Sequence, residues 1–114
     1  MDASLCSQYE DLELWRAGTD LARGVRDALG DAASGGLGLT ALVAATEIPA
    51  TLAVAYTLPE AEIIDHIGKA MEKLIVLEHQ LLLLDCHSVA LPLEALKAEL
   101  AALLEDDYGD FDDA

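Results

Sequence analysis

The stretch that decides the fold is Ile63-Ile64-Asp65-His66-Ile67-Gly68-Lys69-Ala70-Met71-Glu72-Lys73-Leu74-Ile75-Val76-Leu77-Glu78-His79-Gln80-Leu81-Leu82-Leu83-Leu84. Ile63, Ile67, Ala70, Leu74, Leu77, Leu81 and Leu84 follow one another in steps of four and three. That spacing places all seven on one face of an α-helix, as a heptad-like packing seam. A strand would need alternation every second residue, and none is present. Ile64, Gly68, Met71, Ile75 and Leu82 form a second seam, interrupted by Glu78, and Val76 and Leu83 widen the apolar surface further. One bundle core uses one stripe of each helix, so a second stripe predicts a second partner. Ile64, Met71, Ile75, Val76, Leu82 and Leu83 are therefore the candidate subunit-contact residues.

Working outward, Thr57-Leu58-Pro59-Glu60 reads as a capping box with proline in the first turn, opening this helix, which runs to about Asp85. Before it, residues 39–56 form another helix with Pro49 inside, and a proline there removes a backbone hydrogen bond and kinks the helix. A Gly-, Ala- and Ser-rich break covers 30–38. The first helix spans about 10–29, with Leu12, Trp15, Thr19, Ala22 and Leu29 on its inward stripe. Arg16, Asp20, Arg23 and Asp27 alternate in sign along its solvated face. Pro92 opens a last helix that ends near Asp106. Short connections force consecutive helices antiparallel, so the predicted fold is all-α: an up-down-up-down four-helix bundle over residues 1–106, with an irregular acidic tail at 107–114.

Residues 37–58 carry one charge, Glu47, and are long enough to cross a bilayer. Glu47 and Pro49 near the centre, the many Ala, Thr and Gly residues, and the lack of Lys or Arg between Arg26 and Lys69 argue against a span. The expectation is instead a helix buried on every side. Glu47 is its odd residue: it is either a surface acid paired with a basic neighbour, or a member of a polar ring repeated in each subunit beside the kink at Pro49.

The chain has 22 acidic and 6 basic residues, a formal charge of −16. Six acids crowd the last ten residues, from Glu105 to Asp113. Nucleic-acid binding rests on Lys and Arg neutralising phosphates, and anionic membranes attract the same residues, so the charge disfavours both partners. Tyr108 and Phe111 set two apolar anchors in the acidic tail, a pattern suited to docking a basic protein partner. Cys6 and Cys86 give no disulfide framework, and Met1-Asp2-Ala3-Ser4-Leu5 lacks the basic start of a signal peptide. The expected location is the cytoplasm with free thiols, a single disulfide being the alternative.

Tyr9-Glu10-Asp11-Leu12-Glu13-Leu14-Trp15, Gly36-Leu37, Ala44-Ala45-Thr46-Glu47-Ile48-Pro49, and Ala70 with Leu74-Ile75-Val76-Leu77-Glu78-His79-Gln80-Leu81 stand in this order along the chain. Together they resemble the S23-type four-helix-bundle family, small proteins often encoded in intervening sequences of 23S ribosomal RNA genes. The same fold serves the accessory proteins of diversity-generating retroelements. The resemblance covers about 9–85 and implies a four-helix bundle assembled as a ring-like homopentamer. Two departures stand out: Leu42 and Val43 replace the family's paired arginines, and Thr51-Leu52-Ala53-Val54-Ala55 replaces the polar run that follows its proline. An RNA- or reverse-transcriptase-associated role, which the family implies, is opposed by the charge.

For chemistry, Glu62 and His66 offer two metal ligands one turn apart, but the Glu-x-x-His motifs that a di-iron bundle needs on two helices are absent. Asp85-Cys86-His87 brings a thiol beside an imidazole, yet a histidine in the last turn of a helix already suits the dipole. The sequence thus predicts neither an enzyme nor a cofactor. It predicts a homo-oligomeric assembly or protein-interaction module.

Overall fold

The computed structural model describes the backbone of residues 9–112 and the side chains of 13–105. Among the described residues there are four α-helices and no strand: α1 (Tyr9–Leu29), α2 (Gly36–Ala55), α3 (Glu60–Leu83) and α4 (Ala90–Asp112). A 3₁₀ turn, Gly30–Ser34, fills most of the predicted break, so α2 begins earlier than expected. Each helix packs on its neighbour in the chain, and α4 also meets α1. Glu47 of α2 lies beside Lys73 of α3, while Thr51 and Val54 share a cleft with His66. The partners run in opposite directions along the two helices, as antiparallel neighbours do.

The heptad seam of α3 is the heart of the core. Ile67, Ala70, Leu74, Leu77 and Leu81 are all buried, and Ile63 and Leu84 pack against them. They meet Ala41, Ala45, Ile48 and Leu52 of α2, Leu21 and Val25 of α1, and Leu93, Leu96 and Leu100 of α4. No polar or charged residue is buried among the described residues. Non-directional apolar packing and backbone hydrogen bonds therefore hold the bundle.

Several local expectations change. On α1 the inward face centres on Leu21 and Val25, fully buried, while Trp15 is exposed at 38%. Of the expected stripe, Ala22 and Leu29 are buried, Thr19 is half-buried and Trp15 is exposed, and Gly18 explains the rotation. A Cβ there would sit 3.4 Å from the Cα of Pro49, so α1 approaches α2 along the Gly18 side and turns Trp15 outward. The side chain of Leu12 lies outside the described ones, as does Cys6.

The capping box is absent. The Thr57 hydroxyl turns back and donates to the carbonyl of Val54 at 2.7 Å, Pro59 caps α3 without a side-chain bond, and the helix starts at Glu60. A Thr next to a helix C-terminus meets free carbonyls there, and these outcompete the amides three residues ahead. At the far end, α4 continues through Asp112, past the predicted stop near Asp106. No proline stops the chain after Pro92, although Asp107, Gly109 and Asp110 are weak helix formers.

Asp85-Cys86-His87 is a helix terminus. Asp85 adopts a left-handed conformation (φ 59°). Its amide donates to the carbonyl of Leu82 at 3.0 Å, and the Cys86 amide donates to Leu81 at 2.9 Å. These two bonds define a Schellman cap with aspartate where glycine is usual. Cys86 packs against the core behind it, and the His87 Nε2 lies 2.8 Å from an Asp85 oxygen at the surface.

Candidate functional site

The second apolar seam divides in the structure. Ile75, Val76, Leu82 and Leu83 are exposed, from 41% at Ile75 to 77% at Leu83. Ile64 and Met71 are half-buried: Met71 packs on the core, and Ile64 lines a shallow cleft with Leu104 of α4. The break between the two halves is physical. Ile64 is partly covered beside α4 and Met71 by the core, whereas the other four lie on the C-terminal half of α3, Leu82 at the rim of a cleft with Leu93 and Glu94 of α4.

The sequence reading missed a companion surface on α2. That helix was expected to be buried on every side, and it is not. Gly38, Ala41, Ala45, Ile48, Pro49, Leu52 and Ala55 face inward, but Leu39 (44%), Val43 (48%) and Val54 (47%) face outward. Leu39, Val43, Thr46, Ala50 and Val54 recur in steps of three and four, a second helical stripe opposite the first. That spacing was legible. In an apolar helix of this length, small residues on the outer face mask the second stripe. By length and composition 36–55 is also long and apolar enough to cross a membrane.

The Glu47–Lys73 pair fixes the register of the two helices at 3.4 Å. One turn from it, Val43 stands level with Val76, and Leu39 with the turn holding Leu83. The α2 stripe and the exposed arc of α3 lie on adjacent helices and together make up the exposed apolar area of this pair. Seven side chains of Leu, Val and Ile contribute on the order of 500 Å² to it, within the range of the largest apolar patch on a monomer.

Glu47 itself is on the surface, its side chain 52% exposed, with Lys73 as its partner. Pro49 is buried inside α2, against Gly18 of α1. The helical residues Tyr108 and Phe111 have side chains outside the described ones.

Among the described residues a second interhelical ion pair lies where α3 meets α4. Lys97 donates to both oxygens of Glu78, at 3.0 and 3.1 Å, and lies 3.5 Å from Glu94. Hydrogen bonding to Lys97 holds the Glu78 carboxyl below the ordinary glutamate value, and the same bond raises Lys97. This pair answers why a charge interrupts the second seam: Glu78 reaches sideways to α4. Arg23–Asp20 and Arg26–Asp27 on α1 are exposed pairs of small energetic weight.

His66 flanks two shallow clefts, one with Glu62, Asp65 and Glu72, the other with Glu47, Lys69 and Lys73. Among the described residues no three His, Cys, Asp or Glu side chains converge as a metal site would require. Cys86 carries a free thiol, half-buried at the α3 cap.

Comparison with known proteins gives no match: no protein-family profile, curated sequence or solved structure aligns significantly with this chain. What the fold and surface define is a class, a four-helix all-α protein with an uncovered apolar face.

Proposed function

We propose that the chain is a non-enzymatic assembly module that self-associates through the outer faces of α2 and α3. The observation carrying this reading is the exposure, in a single chain, of Leu39, Val43 and Val54 on α2 and of Ile75, Val76, Leu82 and Leu83 on the neighbouring α3. Copies each bearing −16 repel one another, so they can meet closely only over a face without charge. This face supplies one. Its area falls short of the roughly 800 Å² per partner of a standard interface, but it suffices as an apolar core with a polar rim.

The resemblance to the S23-type bundles supports a ring of five, with Pro49 bending α2. A ring needs a head-to-tail contact between two different surfaces, and the outer faces of α2 and α3 can supply the two. Location in the cytoplasm, and a basic protein partner for the acidic C-terminal segment, complete the proposal. The test is the mass of the full chain in solution: an oligomer at micromolar concentration supports self-association, and a monomer of 12.1 kDa at every concentration refutes it.

A further inference from the structure

His79 occupies a singular position on the exposed arc. Ile75 and Val76 precede it by four and three residues, and Leu82 and Leu83 follow by three and four. Residues at those offsets are its nearest neighbours on a helix surface. An exposed imidazole thus sits at the middle of the four exposed apolar side chains of α3. We propose that His79 makes self-association pH-dependent, so that mild acid releases the subunits. The inference rests on the reading that a second copy of this chain covers the arc.

Histidine is the side chain whose ordinary titration falls between pH 5 and 8. Neutral imidazole is tolerated in an apolar contact, where its ring packs and its nitrogens bond locally. An imidazolium there must lose its water among Ile75, Val76, Leu82 and Leu83, and this is costly unless an acid meets it.

The charged groups around it do not provide that acid. On α3, Glu78 is adjacent, but both its oxygens already bind Lys97. Glu94 of α4 is drawn to the same lysine at 3.5 Å. Glu72 lies two turns back along α3. On α2, Glu47 is held by Lys73, and the segment 32–46 that borders the arc has no charged residue. Carboxylic acids as a class change charge well below this range, and histidine is the side-chain type that ordinarily changes charge between pH 8 and 5.5.

Sedimentation velocity of the full chain between pH 8 and 5.5 tests this, with helical circular dichroism recorded on the same samples. The wild type is expected to weaken its association at least tenfold over that range while keeping its helix. His79→Leu is expected to stay associated at pH 5.5, and the His66→Gln/His87→Gln double variant to follow the wild type. An assembly that is indifferent to pH, or tighter in acid, overturns the inference and leaves self-association standing. A parallel response of His79→Leu and wild type overturns it as well, as does loss of helix together with mass. A monomer already at pH 8 overturns the self-association reading, and the inference falls with it.

Discussion

Gly38 offers a sharp test of how the first half of the chain is built. The 3₁₀ turn Gly30–Ser34 folds back on the first turn of α2, and a Cβ at position 38 would overlap the carbonyl oxygen of Ala32 and lie 2.6 Å from its carbonyl carbon. The obstacle is backbone, so no rotamer change relieves it. Either the turn or the start of α2 must move by roughly 1 Å. Overpacking of this kind costs about 1–3 kcal/mol, and backbone obstruction belongs at the upper end. Alanine recovers about 1 kcal/mol of helix propensity over glycine, leaving a net loss near 2 kcal/mol. For a domain of this size that corresponds to a fall in Tm of roughly 8–16 °C. Gly68 is the internal control: it lies within α3 with no atom within 4 Å of a built Cβ, so Gly68→Ala should gain about 0.5–1 kcal/mol. Urea unfolding followed by circular dichroism measures both. A Gly38→Ala variant within 0.5 kcal/mol of wild type, or a Gly68→Ala variant equally damaged, would refute the packing of the 3₁₀ turn on α2.

Other consequences are as direct. Leu74 is fully buried at the centre of the core, so Leu74→Ala should cost about 2–5 kcal/mol in the same unfolding assay. Asp85→Gly removes a left-handed non-glycine residue from the Schellman cap and should stabilise the fold by about 0.5–1 kcal/mol, despite losing the surface contact with His87. Because Glu78 has a lowered folded-state pKa, its contribution is fully present above the ordinary glutamate value, about 4.3, and fades as pH falls through the lower folded value. Glu78→Gln should therefore reduce the acid-side slope of stability below pH 4.5, and chemical unfolding between pH 3 and 6 reads that slope.

The core of α3 was legible because its seven seam residues keep heptad spacing and are the ones that pack inward. Pro49 within α2 and the short links were equally plain. The face of α1 was not: both Trp15 and Leu21 lie on apolar stripes, and the close approach at Gly18, a tertiary fact, chooses between them. Thr57 shows a similar limit, since one hydroxyl can cap the helix ahead or bind the carbonyls behind. The candidate surface was half legible. Ile75, Val76, Leu82 and Leu83 exceed what one core needs, but Ile64 and Met71 carry the same pattern and turn partly inward. The stripe on α2 was hidden by small residues, whose burial does not follow from their hydrophobicity.

Self-association is the central claim, and the most direct measurement is multi-angle light scattering of the full chain at pH 8 beside a Val76→Glu/Leu83→Glu variant. The wild type should give a multiple of 12.1 kDa, about 60 kDa for a ring of five, and the variant should give a monomer with unchanged helical circular dichroism. A wild type of 12.1 kDa throughout, or a charged variant that assembles as before, would contradict the account.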